Sequence, residues 1–292
     1  MKETNTSTST QAKTAAKKNG SLFRANPVMN RLTKVKEYAA ADEKSATYGG
    51  ITLKTGFFLL MTVVGMIAYL FAQYAWFQHQ PMIEGLKYEG FQFMISVPQA
   101  ITILVVAIIG VIAQLLAAFI PKSIPVTGTI YSLTQGAFIS CLIFTILGGE
   151  HMEYLGLLAL IITVIVVVTM ALLYTKGIIK VNKKFKAVLI TLLLSSLALS
   201  LVVLICSFIP GVNTFVSSIL NNFWVSLILT LVSILIATMF LISEFAVMDE
   251  VVQNRMPVKY EWMAAFGLSF AILWLYIKIL DLVIQIAGRG RN

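Results

Sequence analysis

Residues 154–175 read YLGLLALIITVIVVVTMALLYT, twenty-two positions without a charged side chain. A helix needs roughly 20 apolar residues to cross the hydrocarbon core of a bilayer. The run does not alternate with period two, as a membrane β-strand would, and in lipid only helices and closed barrels satisfy their own backbone. It reads as a transmembrane helix.

Working outward, six further runs have the same character. The seven predicted spans are Thr55–Trp76, Gln99–Ile120, Thr127–Leu147, Tyr154–Thr175, Ala187–Ile209, Asn222–Ser243 and Trp262–Ala287. Pro121 and Pro125, Gly148-Gly149, a lysine cluster and Pro210-Gly211 separate them. The composition agrees, with 58% hydrophobic and 12% charged residues. That is far more apolar and less charged than a soluble domain, and it excludes a soluble enzyme with a polar shell. The fold class is all-α, a polytopic membrane protein with seven transmembrane helices. Cys141 and Cys206 lie in apolar runs and read as buried small hydrophobes.

The net charge of +9 is concentrated toward the amino terminus. Residues 1–25 are rich in Thr, Ser, Lys and Asn without an apolar core, so they read as a disordered basic tail rather than a secretory signal. In 26–54, Val28, Leu32 and Val35 fall at helical spacing, which predicts a juxtamembrane amphipathic segment. The domain order is then tail 1–25, juxtamembrane 26–54, bundle 55–287 and a short tail 288–292. With the amino terminus inside, eighteen Lys and Arg fall on the inner side and three outside. This predicts a cytoplasmic amino terminus and an external carboxy terminus in a cytoplasmic membrane. Arg289 and Arg291 fall on the outer side, and only a re-entrant last segment would return them inside.

Charges within a membrane are costly, about 2.5–3.5 kcal/mol each on insertion scales, and are usually functional or paired. The informative stretch is FLISEFAVMDEVVQNRMPVKYEWMAAFGLSFAILWLYIKILDLVIQIAGRGRN, 240–292. Glu244 closes the sixth run, and Asp249 and Glu250 follow at the cytoplasmic mouth. Lys278 and Asp281 lie three residues apart in the last span, on one helical face. They read either as a self-neutralising ion pair or as part of a proton- or cation-responsive site with Glu244. Lys278 is about 24 Å along a straight helix from Trp262. It meets Glu244 only if the sixth helix places that acid deeper than the run suggests.

FLISEF (240–245), VQNRMPVKYEWMAAFGL (252–268) and LWLYIKIL (273–280), with NPVMNR (26–31) and TYGGITLKTG (47–56), resemble the Bax inhibitor family of seven-span proteins, specifically its bacterial YccA-like branch. The resemblance implies six helices around a central last helix. It also implies an acidic pair on the sixth and seventh helices that senses pH and gates a cation leak, chiefly of calcium. Glu244 falls on the first acidic position. Lys278 falls on the second, where the family has Asp or Glu, and Asp281 is the nearby acid that would replace it. A carboxylate and an ammonium neutralise each other, whereas two carboxylates share a proton or hold a divalent ion.

Glu150, His151 and Glu153, and His79 with Glu84 and Glu89, have no spacing that fixes a metal geometry and read as solvated loop charges. No metal or cofactor is expected. Trp76, Trp224 and Trp262 stand at span ends, as an interfacial belt would require, whereas Trp274 and Tyr276 read as packing. HExxH, GxSxG and Walker-type loops are missing, so no enzyme is expected. The basic residues follow topology, so no nucleic acid is expected either. Partners are the lipid bilayer, calcium or protons as transported ions, or other membrane proteins such as a membrane-bound protease if the chain is a non-conducting regulator.

Overall fold

The computed structural model describes residues 44–79, 82–88, 91–144, 154–209, 211–220 and 222–289. The tail 1–25, most of the juxtamembrane segment and the Glu150–Glu153 loop lie outside these residues. The helices are α1 (Tyr48–Ala75), α2 (Val97–Phe119), α3 (Ile124–Leu142), α4 (Tyr154–Thr175), α5 (Lys183–Ser207), α6 (Val212–Leu220), α7 (Phe223–Gln253) and α8 (Lys259–Arg289). Six of them, all but α3 and α6, are long and apolar enough to cross a membrane.

The termini follow local chemistry. Thr47 caps α1 by accepting from the Gly50 amide at 3.0 Å. Ser96 and Gln99 form a reciprocal capping box on α2, and Asn182 and Asn222 cap α5 and α7. Two predicted boundaries move. Residues 48–54 extend the first span instead of belonging to the juxtamembrane segment. The sixth helix runs ten residues beyond Ser243, carrying Glu244, Asp249 and Glu250 as helical residues rather than a connector. The connector between α1 and α2 also differs from the loop expected there. Met82–Tyr88 (β1) and Phe91–Ser96 (β2) pair as an antiparallel hairpin with Met82 opposite Ser96.

α1, α3, α5 and α8 begin at one end of the bundle, here called proximal. α2, α4 and α7 begin at the other, distal end. α8 is the central element, flanked by α7, α1, α4 and α3. Its buried residues run from Glu261 to Gly288 and lie on most sides of the helix, the pattern of a largely enclosed helix, with Ile286 exposed near its end. α2 packs on α3, and α5 on α6 and α7, so these two form an outer layer rather than part of a ring of six.

α3 is nineteen residues long and more polar, with Thr127, Ser132 and Ser140 buried among its neighbours. It meets α1 by close backbone approach. A Cβ on Gly65 would strike the Leu133 carbonyl, and one on Gly136 the Thr62 carbonyl. The close-packing device of membrane helices is thus split between single glycines, one on each helix, rather than written as a pair on one.

The outward surfaces are apolar. Phe71 is 76% exposed and Leu197 65%. Apolar exposure on this scale belongs to a surface that meets lipid. Trp274 and Tyr276 pack as expected. The Trp274 ring meets Phe240 and Phe270, and the Tyr276 hydroxyl donates to the Gly156 carbonyl at 3.2 Å.

Candidate functional site

The long extension of α7 carries three acids past the apolar run and sets them against α8, α4 and α5. Glu244 is 5% exposed, and its carboxylate lies directly over Gly267 of α8, where a Cβ would collide with it. Glycine at 267 leaves the carboxylate this position, and any larger residue would make the Glu244 side chain shift. The counter-charge near Glu244 is Lys186 on α5, whose ammonium interacts electrostatically with Glu250 and Glu244. Glu250 keeps one buried carboxylate oxygen without a hydrogen-bond partner. Asp249 points to a different neighbour, accepting from the Tyr174 hydroxyl at 2.6 Å. The Tyr48 side chain lies near the same carboxylate and interacts with it electrostatically.

Lys278 and Asp281 occupy another level. Asp281 accepts from the Thr230 hydroxyl of α7 at 3.2 Å, and the Gln285 amide donates to that hydroxyl at 2.6 Å. Thr230 opposite Asp281 and Glu244 opposite Gly267 fix one antiparallel register. Fourteen residues separate the two levels on either helix, about 21 Å at 1.5 Å per residue. Lys278, eleven residues beyond Gly267, is about 16 Å from the Glu244 level. The structure therefore does not bring Glu244 and Lys278 together, and it keeps Asp281 at the distal level too. Lys278 and Asp281 do not form the ion pair that their spacing allows: among the described residues, the one ion pair within 4.0 Å joins Lys54 to Glu261.

That pair was not prominent in the sequence. Glu261, 3% exposed, also accepts from the Thr47 amide at 2.8 Å and its hydroxyl at 3.3 Å. The Lys54 ammonium lies 5.3 Å from the Trp262 ring centre. Backbone bonds from Ala46 to the Met256 carbonyl (2.7 Å) and from Val258 to the Lys44 carbonyl (3.3 Å) complete the attachment of residues 44–47 to the α7–α8 turn. The available signal was one acid in the first turn of a long apolar helix, with a lysine one helix away. Lys186 was counted only toward topology, because a lysine beside four others carries no mark of its partner.

The site is one of charge handling: acids with the ammonium groups of Lys186 and Lys54 at the proximal end of the bundle, and a carboxylate buried beside a glycine. No group of three His, Cys, Asp or Glu side chains able to hold a metal occurs among the described residues. No curated protein and no solved structure matches the chain. Residues 26–288, which take in seven of the helices described above and all but the last residue of α8, match the family described as Bax inhibitor 1 like, and the protein belongs to that family.

Proposed function

We propose that the protein is a pH-sensitive leak for cations, calcium or protons, in the cytoplasmic membrane, of the YccA-like kind within its family. In this reading Glu244 is the titrating group, and protonation removes the charge that attracts a passing cation. Lys186 competes for the same carboxylate, and Asp249 and Glu250 form the mouth. The observation that carries the reading is the Glu244 carboxylate, 5% exposed within the bundle and set against a glycine rather than against an ion-pair partner. A structural acid would be tied down, as Glu261 is. Asp281 and Lys278 modulate the distal end, and the amino terminus is cytoplasmic.

Flux of calcium and of protons into liposomes, recorded against pH, tests this. Wild type should exceed empty liposomes with a pH-dependent rate, and Glu244→Gln should abolish the pH dependence. Flux equal to empty liposomes at every pH would overturn the reading. Lys278→Asp should leave the pH response at Glu244 unchanged, because about 16 Å separates the two levels.

A second reading, a non-conducting regulator that holds other membrane proteins, draws on α5. Leu189 is its one well-buried residue among those described, so most of its length is open to a neighbour. Deleting residues 1–25 should weaken capture of a membrane partner in this case and leave flux unchanged in the first.

A further inference from the structure

The proximal end contains a cavity of about 620 Å³ between α4, the α4–α5 connector, α7 and the first residue of α1. Small-molecule sites fall in the range of about 300–1,000 Å³, mostly apolar with a few convergent polar groups. This one fits that description. Phe245 and Met248 form apolar wall, Asp249 supplies a carboxylate, Tyr48 and Tyr174 line it, and Lys180 lies at its margin.

The polar groups are arranged in two parts. Asp249 is held in place by the Tyr174 hydroxyl at 2.6 Å. A carboxylate has about four acceptor sites, so this bond leaves capacity for a further donor. The Tyr174 and Phe245 rings lie beside it with centres 5.8 Å apart, and aromatic faces attract cations. This half suits an ammonium. The other half is the connector, where Lys180 is exposed and is accompanied by Lys176, Lys183 and Lys184, and it suits an anion. Elsewhere on α4 and the connector, Leu172 and Ile178, 53% and 66% exposed, present apolar surface.

We propose that this cavity binds the headgroup of an aminophospholipid such as phosphatidylethanolamine. Its ammonium rests on Asp249, its phosphate on Lys180, and its acyl chains lie along the exposed face of α4. Charge complementarity selects this occupant. A choline headgroup has no N–H to donate to Asp249, and phosphatidylglycerol has no cation to offer it. The inference does not depend on ion passage, because it concerns binding at a wall of the bundle.

The test is lipid binding to the delipidated full-length protein in a neutral detergent, read by native mass spectrometry and by thermal stabilisation. Wild type should rank phosphatidylethanolamine above phosphatidylcholine and phosphatidylglycerol. Asp249→Asn should lower ethanolamine-lipid affinity about tenfold, the scale of one hydrogen bond to a charged group, while phosphatidylglycerol binding holds or rises. Lys180→Ala should weaken both phospholipids. Equal affinity of wild type for ethanolamine and choline lipids overturns the proposal, whatever the stability of the variants. So does an Asp249→Asn protein with normal melting and unchanged lipid ranking.

Discussion

The two ends of the α7–α8 pair solve the same problem differently. At the distal level Asp281 is taken up in a relay of neutral side chains, Gln285 to Thr230 to Asp281. Beyond it the Arg289 guanidinium lies 4.3 Å and 4.8 Å from the ring centres of Phe223 and Trp224, which close the last turn of α8 onto the first of α7. At the proximal end Glu261 is tied to Lys54 and Thr47, whereas Glu244, one level deeper, has a glycine and distant charge instead of an ion-pair partner. A fully hydrogen-bonded acid stiffens a structure, and a loosely partnered one remains available to a proton or an ion. Under the proposed leak, the contrast separates holding from working groups on one helix pair.

The sharpest way to break this division is Glu261→Gln. Removing one member of a buried ion pair leaves the other uncompensated and should cost about 3 kcal/mol. Denaturant unfolding in detergent measures it, and Lys54→Met in the same chain should recover part of the loss. Hydrogen exchange at residues 46–51 should rise with the first substitution.

Gly267→Ala comes next. Its methyl group would occupy the place of the Glu244 carboxylate, and overpacking of this kind should cost about 2 kcal/mol. Because the clash is with one side chain, Glu244→Ala should relieve it. If both single and double variants lose the same stability, Glu244 is not the neighbour that matters.

At the distal end, Asp281→Ala should cost about 1.5 kcal/mol through the lost bond from Thr230. Flux should keep its pH dependence in this variant. A pH response that vanishes here, rather than with Glu244→Gln, would exchange the roles of the two levels. The smallest effect should come from Arg289→Ala, about 0.5–1 kcal/mol for the aromatic contact, seen as a lower melting temperature with unchanged flux.

Much of the architecture was legible because hydropathy is a local property. Each run of apolar residues announces its own helix, and turn residues mark the breaks. The exceptions have physical causes. Glu244, Asp249 and Glu250 end the apolar run but not the helix, since acids are good helix formers and α7 gives them neighbours. The β1–β2 hairpin was hidden because its first strand carries a register irregularity between Glu84 and Lys87 that breaks the alternation. The family resemblance matched the ends of the chain and located Glu244, but the second acidic position falls on Lys278. Register on α8 puts that residue near the distal level.

The sequence by itself determined an all-helical membrane bundle, the identity of its charged residues and the family to which it belongs. Lipid imposes length and polarity rules that act residue by residue, so these features need no knowledge of distant contacts. Which charges meet was decided only by tertiary structure. Gly267 and Glu244, and Thr230 and Asp281, are partners because the antiparallel helices α7 and α8 pack in one register, and Lys54 meets Glu261 because α1 and α8 start side by side at the proximal end. Long-range pairing depends on that register, and no local pattern encodes it.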